Sequence, residues 1–212
     1  YKGKPLFLKE HLTRLQQALS AFRISFPYTA EQLEEVIQKL NEADDFRDGY
    51  FRLNVSAGEH EIGLAPTRYG ETRFKGHHYG NNVFARFELP SLAAQEGIFL
   101  TADHFVAEGI TSNVFWVKND TVYTPSLNTG ILAGVTRSLV LALGHQLGYS
   151  VKEGQYDVKE LLDAEECFIT NAVQQVVPIR SLNSVTFLGN DGPVTKEIQQ
   201  AYEQLIERRL NT

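Results

Sequence analysis

Residues 107–137, AEGITSNVFWVKNDTVYTPSLNTGILAGVTR, constrain this chain more than any other stretch. They read as strand, tight turn, strand, loop and helix start, with polar groups where an apolar core would not need them. An acid sits in a small-residue turn, Ala107-Glu108-Gly109, and a polar trio follows, Thr111-Ser112-Asn113. The loop from Gly130 to Gly134 then opens a helix at Val135. The backbone N–H groups of Gly134, Val135 and Thr136 are expected to be left without partners there. Together with the positive end of the helix dipole and the Thr136 hydroxyl they would form a cup for an anion. Every helix has such an end, so the loop alone does not separate a phosphate site from an ordinary helix start.

The 212 residues can bury a substantial core, as one large domain or two small ones. A net charge of -6 argues against a nucleic acid or an anionic membrane as partner, since either would favour a basic face. The single cysteine, Cys167, excludes an internal disulfide and fits a reducing compartment, so a cytoplasmic location is expected. No apolar run approaches the ~20 residues of a membrane helix. There is no methionine, and Tyr1-Lys2-Gly3-Lys4-Pro5 reads as a hairpin turn whose first strand lies ahead of it, so further segments are expected.

Leu8, Leu12, Leu15, Leu19 and Phe22 recur at helical spacing, with His11 and Arg14 on another side of that helix. Thr29 followed by Gln32 is a capping box opening a second helix, with Leu33, Val36, Ile37 and Leu40 as its buried stripe. Residues 50–56 alternate as a half-exposed strand. Residues 59–72 show neither period and hold Gly63, Pro66 and Gly70; this is the best linker in the chain. The expected domains are 1–68 and 69–212. Beyond the linker, 75–87 reads as helical from about Tyr79, 97–101 as a strand, and 114–117 with 121–123 as a hairpin across Lys118-Asn119-Asp120. The helix from Val135 carries Leu139, Leu143 and Leu147 and stops at Gly148. Short strands follow at 167–170 and 185–188. A final helix from about Val194 buries Ile198, Tyr202, Leu205 and Ile206.

Taken in order, His11-Leu12-Thr13-Arg14-Leu15, Lys75-Gly76-His77-His78-Tyr79, Glu108-Gly109 with Ser112-Asn113-Val114-Phe115, Thr124-Pro125, Gly130 to Arg137, Ala164-Glu165-Glu166 and Thr170-Asn171 before Pro178 form a set. This set closely resembles the class IV, or fold type IV, pyridoxal-phosphate enzymes: branched-chain aminotransferases, D-amino-acid transaminases and 4-amino-4-deoxychorismate lyase. The resemblance covers essentially the whole chain. It implies an α/β fold of α+β type with two domains, a small N-terminal α/β domain and a larger C-terminal pseudo-barrel domain that binds the cofactor. Lys75 to Tyr79 with the following Asn-Asn, Arg52 to Gly58, and Glu96 to Thr101 look most like the lyase.

The resemblance implies roles for individual residues. Lys75 matches the lysine that bonds to the aldehyde of pyridoxal 5'-phosphate and then shuttles protons; alone it would read as a solvated surface lysine. Glu108 matches the carboxylate facing the pyridine nitrogen, where a negative charge keeps that nitrogen protonated; a lone Glu-Gly is otherwise a turn acid in water. Tyr79 matches the tyrosine reaching the cofactor's phenolic oxygen, although a core tyrosine would look identical. Arg14 matches the phosphate-binding arginine, against the reading of a helix-surface arginine paired with an acid. Gly134, Val135 and Thr136 match the phosphate cup, Leu132 the apolar residue on the ring face, and Thr170 and Asn171 a further phosphate-side turn. His77 and His78 do not read as metal ligands, because adjacent residues face apart and no third ligand stands at metal spacing.

There are two departures from the family pattern. Ala172 stands where a phosphate-binding serine or threonine often follows Thr170-Asn171, and the stretch between Gly58 and Lys75 is short, with a leading segment expected before Tyr1. The expected function is a lyase that releases pyruvate and 4-aminobenzoate, with Lys75 as general base and acid. An aminotransferase would use the same lysine for a 1,3-proton shift, and a non-catalytic protein that kept the fold is the third reading. The expected partners are a small amino-acid-like substrate and a second copy in a homodimer.

Overall fold

The structure is a computed structural model, and it describes residues 4–21, 24–43, 49–53, 55, 82, 85–87, 89 and 96–211. The chain divides into two compact units, Tyr1–Gly70 with Ile206–Thr212, and Glu71–Leu205.

In the first unit, α1 (Leu8–Ala21) buries Leu12 and Leu19, as its helical spacing predicts. The capping box opening α2 (Ala30–Ala43) is formed in both directions: Thr29 N donates to Gln32 Oε1 at 2.8 Å and Gln32 N donates to Thr29 Oγ1 at 3.3 Å. Only Leu33 of the expected α2 stripe is buried; Val36 and Leu40 are each about half exposed. The expected strand at 50–56 is not formed among the described residues, where Tyr50, Phe51 and Leu53 lie exposed in irregular chain. Local alternation alone does not make a strand without a partner to complete the ladder. The end of the chain meets the start of α1, where Arg209 Nη2 lies 3.2 Å from Glu10 Oε1 and Lys4 Nζ donates to Leu210 O at 2.7 Å.

The second unit is built on a sheet. Its elements are β1 (Ile98–Leu100), β2 (Val106–Gly109), β3 (Asn113–Lys118), β4 (Thr121–Pro125), α3 (Val135–Gln146), β5 (Ser150–Gly154), a short α4 (Val158–Leu162), β6 (Glu166–Asn171), β7 (Gln175–Ile179), β8 (Ser181–Leu182), β9 (Val185–Thr186) and α5 (Pro193–Leu210). The main sheet has the order β5-β4-β3-β6-β7, while β1 pairs with β2 and β8 with β9. All pairs in the main sheet are antiparallel except β4 with β5, which α3 joins as a crossover. The β3–β4 hairpin turns on Asn119 and Asp120, both at positive φ (50° and 53°), the conformation a two-residue primed turn requires.

Strands β3 and β6 at the sheet centre are buried on both faces, so they read as apolar runs rather than as alternation. One face carries Val114, Trp116, Cys167 and Ile169, packed with Val106, Leu161 and Phe187. Tyr123 and Tyr156 flank Trp116 with ring centroids at 6.0 and 5.1 Å. On the other face Phe115 and Phe168 stack at 5.0 Å with their rings 2° from parallel. Burying each such side chain is worth roughly 1.5–3 kcal/mol.

Helix α3 presents Val135, Thr136, Arg137, Val140, Leu143 and Gly144 to the interior. The expected stripe of Leu139, Leu143 and Leu147 is thus rotated, leaving Leu147 40% exposed beside the end of the helix. Gly148 at φ 88° ends α3, as expected of a left-handed cap, with Tyr149 N donating back to Gly144 O at 3.0 Å. The strand expected at 185–188 is shorter, ending at Thr186, and Phe187 turns into the core.

Candidate active site

The polar cluster of the second unit gathers at one end of the main sheet. Glu108 lies on β2 rather than in the turn that its small neighbours predict, because residues 106–109 pair with β1. The turn proper is the next stretch, where Gly109 N donates to Ser112 O at 2.7 Å. Any side chain at 109 would run into Ser112, so only glycine fits there. The Glu96 carboxylate ties this turn down, accepting from Thr111 Oγ1 at 3.0 Å, Ser112 Oγ at 3.1 Å and Gly97 N at 3.2 Å.

The turn delivers Asn113 to the first position of β3. Asn113 Nδ2 donates to Glu108 Oε2 at 3.2 Å and to Leu132 O at 3.0 Å, and Leu132 N donates to the same Glu108 oxygen at 3.0 Å. Glu108, Asn113 and the Leu132 peptide therefore close a hydrogen-bonded triangle. Leu132 O also accepts from Gly134 N at 2.9 Å, so the Gly134 N–H is used inside the loop, contrary to the expectation that it points to a ligand. The first intrahelical bond of α3 runs from Ser138 N to Gly134 O at 3.0 Å, so the Val135 and Thr136 N–H groups precede the helical ladder. They are the amides that would face an anion.

Burial pushes the Glu108 carboxyl up to about 7, against the Leu132 N–H and the Arg137 charge, which both pull it down. Arg137 lies in the first turn of α3 and is 3% exposed. Its Nη2 donates to Pro125 O at 2.8 Å and to Glu153 Oε2 at 2.5 Å, while Nε is buried without a partner among the described residues. A cation at a helix N-terminus works against the macrodipole, and Glu153 on the neighbouring strand offsets that.

Thr170 faces Asn113 across the β3–β6 ladder, and its hydroxyl is buried with no partner among the described residues. A buried hydroxyl without a partner costs free energy unless a ligand or water satisfies it. Asn171, by contrast, serves its own turn: Oδ1 accepts from Val173 N at 3.0 Å and Gln174 N at 2.7 Å, and Nδ2 donates to Gln174 Oε1 at 2.9 Å. Glu108, Leu132, Gly134, Val135 and Thr136 thus come together around Asn113, with Thr170 beside them. Arg14 belongs to the first unit, where its Nη2 lies 3.4 Å from His11 Nδ1 and burial lowers its guanidinium from the usual value. Lys75, Tyr79, His77 and His78 lie outside the described residues.

The amino-transferase class IV family model matches residues 1–70 and 64–182. The chain is also 34% identical to the aminodeoxychorismate lyase of Bacillus subtilis, over all of this chain and 84% of that protein. It belongs to the class IV aminotransferase family. Relatives of other activity share the same frame. The D-alanine aminotransferase of Bacillus licheniformis is 28% identical over 97% of this chain and 84% of its own length. The branched-chain amino acid aminotransferase of Thermobaculum terrenum, solved in its PLP-form, superposes with a TM-score of 0.81 at 25% identity, over 95% of this chain and 78% of that one. The mixed sheet and its crossover are the fold type IV frame.

Pyridoxal phosphate, the cofactor of this family, fits the groups present. It needs an anion cup, an acid for its ring nitrogen and polar groups at its edge. This end of the sheet supplies two helix-start amides, a half-buried carboxylate tied to them through Leu132, and a Thr170 hydroxyl without a partner among the described residues.

Glu96 and Arg137 have no assigned role in the sequence pattern, and Asn113 enters it only within the trio 111–113 and the Ser112-Asn113-Val114-Phe115 motif. Asn113 carried a signal, a polar residue opening an otherwise apolar strand. Glu153 carried none, being one acid among several in a stretch with no strand pattern.

Proposed function

We propose that this chain is a pyridoxal-phosphate-dependent 4-amino-4-deoxychorismate lyase, releasing pyruvate and 4-aminobenzoate. The observation that carries the reading is the half-buried Glu108 carboxylate hydrogen-bonded to Leu132 at the entrance of α3. A half-buried acid tied to a helix-start loop suits a ligand with a basic ring nitrogen and a phosphate. The identity to the Bacillus subtilis lyase over the whole chain supports the choice of reaction.

Bound there, the cofactor would draw electrons from the substrate carbon that carries the amine, making its proton labile. Glu108 holds the proton on the ring nitrogen, which keeps that pull strong. The Val135 and Thr136 amides would hold the phosphate, with the Thr136 and Thr170 hydroxyls as further donors. Leu132 would lie against the ring, Tyr79 would reach the phenolic oxygen, and Asn171 would shape the turn beside the phosphate. Lys75 would hold the cofactor by its aldehyde and, as a neutral amine, would take the proton from the amine-bearing carbon of the substrate. It then returns a proton to the departing enolpyruvyl group. Aromatisation of the remaining ring drives the step. We also infer a cytoplasmic homodimer with the domains 1–68 and 69–212; a sedimentation mass of one chain would overturn the dimer.

The D-alanine aminotransferase likeness keeps amino-group transfer as the second reading. Incubation with 4-amino-4-deoxychorismate separates the two. Pyruvate formed without an amino acceptor supports the lyase, and turnover only with a keto acid supports a transaminase. A yellow preparation whose colour is lost in Lys75→Ala supports the cofactor assignment, and a colourless protein that does not take up pyridoxal phosphate refutes it.

A further inference from the structure

Asn113 is 4% exposed, and every polar atom of its side chain meets a part of the candidate site. The nitrogen faces two acceptors, Glu108 Oε2 and Leu132 O, which fixes which way round the amide lies. The oxygen fills the volume where a Cβ on residue 134 would stand. Gly134 is therefore glycine because Asn113 occupies its side-chain space; its own φ of -68° would suit any residue.

Three near substitutes each lose part of this. Aspartate would replace the donor with an acceptor and set a like charge against Glu108. Leucine keeps the volume and offers no donor. Serine is too short to bridge strand, carboxylate and loop together.

We propose that Asn113 is a positioning residue, whose carboxamide locks the Glu108 carboxylate to the start of α3 and so fixes the spacing between the acid that meets the ring nitrogen and the amides that meet the phosphate. The inference rests on the cofactor reading above. Three segments distant in sequence, β2, β3 and the loop before α3, are held by one planar group. A donor 3.2 Å from the Glu108 carboxylate should also favour its ionised form, beside the Leu132 N–H and the Arg137 charge that oppose burial there.

The side-chain carbon resonance of Glu108, followed through a pH titration of the cofactor-free protein, tests the lock without any catalysis. Asn113→Leu should move the midpoint upward by about half to one pH unit, because a donor to the charged form is lost at unchanged volume. Gly134→Ala should do the same although it alters no polar group, because the added methyl evicts the Asn113 oxygen. Because Leu132 and Arg137 also lie beside residue 134, the double variant is the control: Gly134→Ala should add nothing to the shift that Asn113→Leu already causes. Pyridoxal phosphate titrated by absorbance should then bind about tenfold more weakly to both variants, the loss on the order of one hydrogen bond to a charged group.

A Glu108 midpoint unmoved in Gly134→Ala overturns the proposal, and that variant decides the matter if Asn113→Leu does not fold. Wild-type protein that binds no pyridoxal phosphate overturns the cofactor reading instead, whatever the resonance does.

Discussion

Glu108 Oε2 accepts the main-chain N–H of Leu132 at 3.0 Å, a charge-assisted contact inside a site whose burial resists the charge. Burial wins, and the carboxyl rises from 4.5 to about 7 in the folded chain. The folded state therefore binds this proton more tightly than the unfolded state does. Stability from this group is greatest below about pH 4.5, falls as pH rises through the interval to 7, and is flat above it. The expected fall is on the order of 2 kcal/mol after allowing for residual solvent access. Urea denaturation of the cofactor-free protein at pH 5 and pH 8 should show it, and Glu108→Gln should abolish the difference.

Arg137 and Glu153 make an asymmetric pair, one partner buried and the other about half exposed. Glu153→Ala leaves a buried guanidinium with Pro125 O as its remaining partner among the described residues and should cost about 1–2 kcal/mol. Arg137→Met removes the buried charge at similar volume and should cost less, while releasing its pull on Glu108 and raising that carboxyl further. Denaturation midpoints for the two variants, compared directly, check the order.

The buried Glu166 carboxylate opens α5 from a distance, accepting from Val194 N at 3.1 Å, Thr195 N at 2.8 Å and Thr195 Oγ1 at 2.6 Å. Glu166→Ala strands two helix-start amides and a hydroxyl, so a loss of about 3 kcal/mol is expected. Gln in its place should recover part of that loss, since one amide oxygen still accepts. Equilibrium unfolding of the two variants measures the difference.

The Cys167 thiol, 2% exposed on the central strand β6, is pushed up to about 12 by burial. Iodoacetamide at pH 8 should leave it unmodified in the folded protein and alkylate it fully in urea, as mass spectrometry would read. Labelling of the native protein at the rate of a free thiol would contradict its placement.

The capping box at Thr29–Gln32, the hairpin turn at Asn119–Asp120 and the cap at Gly148 were readable because each depends on a few adjacent residues. What escaped depends on partners far along the chain. Val36 and Leu40 have helical spacing, yet only tertiary packing decides which turns of α2 are covered. Strand β5, Ser-Val-Lys-Glu-Gly, has almost no apolar content and exists because β4 pairs with it in parallel. At the site, the ordered motifs marked Glu108, Leu132 and the α3 start, which the structure gathers. Asn113 escaped as a site residue because its use lies in two bonds across 5 and 19 positions of sequence. The unpaired Gly134 amide was misjudged because a local loop bond to Leu132 consumes it.

The lone parallel pair in the main sheet has an evolutionary corollary. Because α3 must return the chain to the start of β5, it can only sprout beyond Pro125, on the rim where β3 begins and β6 finishes. The Asn119–Asp120 reversal lies on the opposite rim, so a change in its length would leave the start of α3 where it is.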